Sequence, residues 1–125
     1  MSENEIGEKL LGCAFRVHSA LGPGLLESAH EACLSHELGK AGLDAARQMP
    51  FPINYDGVEL DAGCRIDLLI EDIVIVEVKA VEKLLPVHTA QLLSYLKLSN
   101  RKLGYLLNFN TAQLRSGIKR VVNGL

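Results

Sequence analysis

The chain has 125 residues, nearly half of them apolar, and a formal net charge of only −2. This length and composition predict a single domain that spans residues 1–125 around a real core, and they argue against a disordered chain. The apolar runs fall short of the ~20 residues that a membrane helix needs, so no membrane-spanning segment is expected.

Two amphipathic helices are predicted in the first third of the chain. Apolar residues recur at three- and four-residue steps from Ile6 to Leu21, as on a helix with one buried face. The segment LGPG at 21–24 ends this helix. Pro23 then suits the first turn of a second helix, which is expected to run to about Lys40.

The middle of the chain is predicted to be rich in strands. In the segment QMPFPINYDGVEL at 48–60, the two prolines favour an edge strand or a bulge, and YDGV is typical of a hairpin turn. The apolar segments Cys64–Ile70 and Ile73–Ala80 indicate two further strands.

The last part of the chain returns to a helix before it ends in strand-like segments. Pro86 favours a helix start, and this third helix is expected to run to about Asn100. Leu103–Phe109 indicates another apolar strand, and GIKRVVNGL at 117–125 indicates a short strand or a helical turn. The whole order predicts one α/β (α+β) sandwich of helices on a sheet.

The strand predicted at 73–80 ends in charged residues on one face. Because side chains alternate along a strand, Ile75, Glu77 and Lys79 share a face. A strand that is buried on both sides normally stays apolar. Glu77 and Lys79 are therefore expected at the rim of the core, where water or a ligand meets the sheet.

Asp67 lies on the preceding strand, and the register of the two strands decides whether it meets Glu77. A two-residue turn at 71–72 would pair Asp67 with Val76 and place the two carboxylates on opposite faces. An odd-length turn centred on Asp72, or a bulge, would instead place Asp67 about 5 Å from Glu77.

Two carboxylates at that distance repel each other unless a positive charge lies between them. A divalent cation such as Mg²⁺, which one or two carboxylates hold, fits this requirement. The alternative is a salt bridge at the rim, in which Asp67 or Glu77 pairs with Lys79 or Arg65.

The pattern of an Asp, nine residues and then Glu-x-Lys, on consecutive strands after a helix, resembles the PD-(D/E)XK nuclease superfamily. GLLESAH at 24–30 resembles the motif of the GxxExxY family, small bacterial and archaeal proteins within that superfamily. One departure is His30, which stands where the motif has a tyrosine. The resemblance covers almost the whole chain and implies a restriction-endonuclease-like αβββαβ core, a mixed sheet flanked by helices.

The resemblance also implies a metal site for Mg²⁺ or Mn²⁺. Asp67 and Glu77 would be the ligands, together with the backbone carbonyl of Val78, and Lys79 would position or activate the attacking water. Glu27 resembles an extra acid that many members supply from their first core helix, although the helix dipole alone also favours an acid in a first turn.

A polar face of the third helix carries a further resemblance. His88, Gln91 and Tyr95 stand at i, i+3 and i+7. A Gln-x-x-x-Tyr helix after the Glu-x-Lys strand resembles the RecB-like branch of these nucleases, where it borders the active site. Gln91 and Tyr95 are therefore predicted to be catalytic residues, with His88 beside them; a polar stripe on an exposed helix is the alternative.

The charge distribution bears on the partner. Residues 1–78 carry five Lys/Arg and fourteen Asp/Glu, whereas residues 79–125 carry eight Lys/Arg and one acid. This asymmetry forms a basic face unless the two halves interleave in the fold. On a basic face, Lys97 and Arg101 would contact the phosphates of a nucleic acid without reading its bases. A homodimer that pairs the two charged halves is left open.

The predicted function is a metal-dependent nuclease that hydrolyses phosphodiester bonds, with DNA favoured over RNA as the partner. The alternative is a catalytically weak or inactive nuclease-fold protein that binds nucleic acid or a protein partner. A cytoplasmic location is expected because the first residues lack a signal-peptide pattern. The three cysteines, moreover, lack the spacing of a disulfide framework or a zinc site.

Overall fold

The computed structural model describes residues 1–61 and 64–125 as a mixed α/β fold, which confirms the predicted fold class. In chain order the elements are α1 (Glu3–Leu21), α2 (Glu27–Lys40), β1 (Ala45–Pro50), β2 (Ile53–Tyr55), β3 (Val58–Leu60), β4 (Arg65–Ile70), β5 (Val74–Lys79), α3 (Pro86–Ser99), β6 (Leu103–Asn108), a 3₁₀ turn (Leu114–Gly117) and β7 (Ile118–Val122). None of the described helices combines the length and the apolar character that crossing a bilayer would require.

The main sheet has five strands in the order β1-β4-β5-β6-β7. Strands β5 and β6 run parallel, and the other neighbouring pairs run antiparallel. A parallel pair needs a crossover connection, and α3 supplies it. Helix α3 therefore starts near the carboxyl end of β5 and finishes near the amino end of β6, so its first turns lie at the end of β5 that carries the charged residues.

The sheet separates two apolar cores. Helices α1 and α2 cover one face, where Leu10 and Leu34 pack in the same cluster as Val76. Helix α3 covers the other face, where Leu92 packs in the same cluster as Ile75. Strand β5 is consequently buried on both faces from its first residue until its charged end, as the sequence predicts.

The predicted hairpin is confirmed as the two-stranded sheet of β2 and β3. Its turn residues Asp56 and Gly57 have φ values of 52° and 77°. Two successive left-handed residues form a turn whose twist matches that of the flanking strands. Pro50 ends the edge strand β1, where a missing N–H is tolerated.

The predicted start of the second helix at Pro23 is wrong, because α2 begins at Glu27. Gly22 and Gly24 adopt φ values of 67° and 99°, which lie outside the helical region. The chain therefore passes through a turn over residues 22–26 before Leu26, in extended conformation, becomes the residue that precedes the helix.

Candidate active site

The turn between β4 and β5 determines which acids meet. Leu68 pairs with Val76, so the connection is a three-residue turn at 71–73. Continued by one residue, this register places Asp67 opposite Glu77. The odd-length turn is therefore the correct alternative, and the two-residue turn that would have separated the acids is wrong.

Glu77 is a buried acid without a full set of partners. Only 5% of its surface is exposed, and its Oε1 atom accepts no hydrogen bond from the described residues. Burial first, and the neighbouring Asp67 carboxylate second, raise the pKa of Glu77 to about 9, while the Lys79 ammonium partly opposes the rise. At neutral pH the side chain is thus a neutral acid unless a cation reaches it.

Asp67 is held on both of its oxygens. The backbone N–H of Val78 donates to Oδ2 at 2.8 Å, and the Nε2 amide of Gln48 donates to Oδ1 at 3.2 Å. These bonds fix the orientation of the Asp67 carboxylate beside Glu77.

Gln48 connects Asp67 to α2 and was not foreseen from the sequence. Its Nε2 also donates to Oε1 of the buried Glu31 at 2.8 Å, and Arg47 forms an ion pair with Oε2 of Glu31 at 3.0 Å. Gln48 has a φ of 52°, a left-handed conformation that costs a non-glycine residue about 1–2 kcal/mol. In the sequence, the position of Glu31 one helical turn after Glu27 could have indicated that it lies near the site. The residue types around Gln48 do not indicate its left-handed φ.

Glu27 reaches the carboxyl end of β5 from the first turn of α2. Its Oε1 accepts a hydrogen bond from the backbone N–H of Ala80 at 3.2 Å, next to Lys79. Within residues 1–61 and 64–125, no group of three or more His, Cys, Asp or Glu side chains is arranged to hold a metal ion. Glu27 therefore lies at the same end of the sheet as Asp67 and Glu77 without joining them as a third ligand in this conformation.

The donor set still fits a divalent cation. An orphaned oxygen on Glu77, a second carboxylate fixed beside it and a strongly raised pKa are the features that a bound cation would relieve. The donors are hard oxygen atoms, which suit Mg²⁺ or Mn²⁺ better than a soft metal.

Helix α3 brings Gln91 and Tyr95 to the same edge. The Nε2 amide of Gln91 donates to the hydroxyl of Tyr95 at 3.2 Å. Burial, followed by the nearby Cys64 and Glu77, raises the pKa of Tyr95 to about 12, so the phenol stays protonated and lies close to the acid. The Nδ1 atom of His88 instead accepts a hydrogen bond from the backbone N–H of Leu85 at 3.0 Å, which supports the start of the helix.

Lys79 is the last residue of β5 and is half-buried. It takes part in none of the ion pairs found among the described residues. The backbone around it is fixed, because its carbonyl accepts the N–H of Phe109 at 2.9 Å and the buried Asn108 exchanges hydrogen bonds with Val81 at 3.1 and 2.9 Å. The ammonium is thus free to meet an anion at this edge.

Lys97 and Arg101 lie away from this cluster. Arg101 forms an ion pair with Asp72 at 2.7 Å in the β4–β5 turn, at the opposite end of β5 from Glu77. Lys97 is in the last turn of α3, which leads to the same far end. Neither residue is brought to the carboxylates, and their contact with nucleic acid stays a prediction.

Comparison with known proteins gives one finding. A family model described as the PD-(D/E)XK nuclease superfamily matches residues 4–121. A search of the curated proteins gave no significant match, and a search of the solved structures gave none either.

Proposed function

Since this chain belongs to the PD-(D/E)XK nuclease superfamily, we propose that it is a metal-dependent nuclease that hydrolyses phosphodiester bonds in nucleic acid, in DNA rather than RNA. The observation that carries the proposal is Glu77, a buried acid with an unpartnered oxygen beside Asp67. Such a pair is costly to bury unless a cation compensates it. Within the superfamily, the segment GLLESAH at 24–30 supports a place in the GxxExxY family.

Asp67, Glu77 and the backbone carbonyl of Val78 would hold Mg²⁺ or Mn²⁺, with Glu27 as a further acid. A bound divalent cation would activate water and neutralise the charge that develops on the phosphate. The hydrogen bonds from Val78 and Gln48 keep the Asp67 carboxylate aimed at Glu77 before any ion arrives. That preorganisation is the contribution of the chain.

Three further side chains complete the proposed machinery. The Lys79 ammonium would donate to a phosphate oxygen or orient the attacking water, since it is close enough to Glu77 to lower the pKa of that acid. Gln91 and Tyr95, joined by their hydrogen bond, would contact the substrate from α3. The high pKa of Tyr95 suits a hydrogen-bond donor and not a general base.

A second function is a nuclease fold that binds nucleic acid or a protein partner and cleaves little. It is favoured by one observation, the lack of a three-acid group among the described residues. Asp67→Ala separates the two functions: cleavage would vanish if the chain is a nuclease, whereas binding would survive or improve because a negative charge is removed from the phosphate path.

The test of the main proposal is a calorimetric titration of Mn²⁺ into the metal-free protein, with Glu77→Ala as the comparison. We expect heat that saturates at about one or two ions and that disappears in the variant. Cleavage assays on single-stranded, double-stranded and branched DNA and RNA follow. Binding of Mn²⁺ that is equal in both proteins would contradict the proposed ligand set.

Three further properties belong to the proposal. The chain is proposed to be one nuclease domain over residues 1–125 and to act in the cytoplasm. A homodimer would pair the acidic first part with the basic last part of the chain. Size-exclusion chromatography at low and high salt tests the dimer, because salt screens exposed charge pairs.

A further inference from the structure

A pocket of about 470 Å³ lies beside the candidate active site. It is lined by Leu25, Leu26, Glu27, Ser28 and Ala80. Its volume is within the range of about 300–1,000 Å³ that is usual for sites that bind small molecules. Ala80 directly follows Lys79 and its N–H donates to Glu27, so the pocket adjoins the carboxyl end of β5, where the proposed reaction would place the scissile phosphate.

The lining combines apolar walls with hydrogen-bond acceptors. Leu26 is 77% exposed and Leu25 is 42% exposed, and both line the pocket together with Glu27. The Glu27 carboxylate accepts one bond from Ala80 and has capacity for more. An apolar wall beside an acceptor suits a flat ring that carries amino groups, which is the chemistry of a nucleobase.

The loop that presents the leucines is fixed from below. Gly22 and Gly24 have left-handed φ values that favour glycine, and Pro23 lies between them. The carbonyl of Gly22 is 3.0 Å from Nε2 of the buried His30, whose ring stacks on Phe109 with centroids 4.6 Å apart. The leucines are thus held in solvent by a supported turn.

Leu26 is also a poor choice for helix stability. It occupies the position that precedes α2, and its side chain caps no backbone N–H. Serine, threonine, aspartate or asparagine there would satisfy one of the free N–H groups of the first turn. A residue that is exposed and unsuited to its place in the helix is better explained by a contact outside the chain.

We propose that this pocket binds an unpaired nucleobase of the nucleotide adjoining the scissile phosphate, so that the preferred substrate is single-stranded nucleic acid or an unpaired segment. A base within a duplex keeps its faces stacked on its neighbours and must leave the stack before a side chain can cover it. The inference rests on one part of the proposed function, the binding of nucleic acid with a phosphate at Lys79, because that phosphate sets where the base arrives; it does not require cleavage.

The experiment compares Leu26→Ser with the wild type. Fluorescence anisotropy, measured without divalent metal, gives the affinity for a labelled single-stranded oligonucleotide and for its duplex; thermal unfolding gives the Tm. We expect single-strand affinity to fall roughly tenfold, duplex affinity to stay the same, and the Tm to stay equal or rise because serine caps the helix. Leu98→Ser is the matched control, since Leu98 is 55% exposed in the last turn of α3.

Two outcomes overturn the inference: unchanged single-strand affinity in Leu26→Ser, or an equal loss for single strand and duplex. The Mn²⁺ titration distinguishes this failure from failure of the proposed function, because metal binding needs the carboxylates and not Leu26. If the wild type binds no Mn²⁺ while Leu26→Ser still weakens only single-strand binding, the nuclease function fails and the base pocket stands.

Discussion

The two ends of strand β5 differ in whether their charged residues are paired. At the turn end, Asp72 and Arg101 form an ion pair in which the aspartate is largely exposed, and every apolar residue of β5 is buried. At the carboxyl end, Glu77 is buried with an unpartnered oxygen beside Asp67. The same pair of strands is thus optimised for stability at one end and carries an electrostatic cost at the other.

The difference teaches where function resides in this fold. Buried acids that repel each other lower stability, and a protein keeps them where a ligand compensates the charge. The left-handed φ of Gln48, also at the carboxyl end, is a second local cost at the same place. The turn end has left-handed residues too, but Glu71 and Asp72 lie in a tight turn where that conformation is ordinary.

The largest effect is expected from a change that removes one charge and keeps the shape. Glu77→Gln should lower nuclease activity by roughly 10³-fold or more, because a neutral amide loses most of its affinity for the metal. Its metal-free stability should equal or exceed that of the wild type at neutral pH. Cleavage rates and urea unfolding measure the two quantities, with Asp72→Asn at the other end of β5 as the control.

Retained activity in Glu77→Gln would remove the metal role of Glu77. A loss of activity in Asp72→Asn as large as that in Glu77→Gln would show that the two ends of β5 are not functionally distinct.

The pH dependence of stability should also mark the carboxyl end. Glu77 has a folded pKa of about 9 against 4.5 for the ordinary side chain, so the folded metal-free protein binds the proton more tightly than the unfolded chain does. Its contribution to stability is full below pH 4.5 and is lost as the pH rises towards 9, by up to about 1.4 kcal/mol per pH unit. Urea unfolding at a series of pH values measures this slope.

Glu77→Gln should flatten that slope, and added Mn²⁺ should stabilise the wild type more strongly at high pH than at low pH. A stability profile that is identical in the wild type and the variant would show that Glu77 is an ordinary carboxylate.

Gln48 should give an intermediate effect, in which backbone and side chain can be separated. Gln48→Gly keeps the left-handed conformation at no steric cost but removes the bonds to Glu31 and Asp67, so activity should fall about tenfold with little loss of stability. Gln48→Ala removes the same bonds and keeps the unfavourable φ, so it should be less stable than the glycine variant by about 1 kcal/mol. Cleavage rates and urea unfolding of the two variants give the comparison; equal activity in the wild type and both variants would exclude a positioning role for Gln48.

The fold and the central acids were predictable because they follow from local patterns. Alternation along β5 determines the face on which Glu77 lies, but the sequence predicts it at the rim of the core, whereas the structure buries it. The sequence reduces the register to two alternatives, and the observed pairing of Ile70 with Val74 decides between them. The hydrogen bonds that connect Glu31, Gln48 and Asp67 join three elements that are distant in sequence. The periodicity of apolar residues does not predict such a contact.

The same limit applies to the second helix. Proline in a first turn is a sound local signal, yet the paired glycines around Pro23 delay the helix to Glu27 and so create the exposed leucines of the pocket.

The smallest effect is expected at the turn end, from Arg101→Ala. The ion pair with Asp72 is solvated on the aspartate side, so its loss should cost less than about 1 kcal/mol of stability. Because Arg101 lies at the far end of β5, the cleavage rate at saturating substrate should not change. If a long substrate extends to that end, as the sequence predicts for Lys97 and Arg101, its affinity should fall slightly and the slope of log affinity against log salt should decrease by about one. A short oligonucleotide, which does not reach the turn, should bind the variant and the wild type equally. If the salt slope with the long substrate is unchanged in the variant, Arg101 does not contact nucleic acid. The turn end of β5 would then have only a structural role.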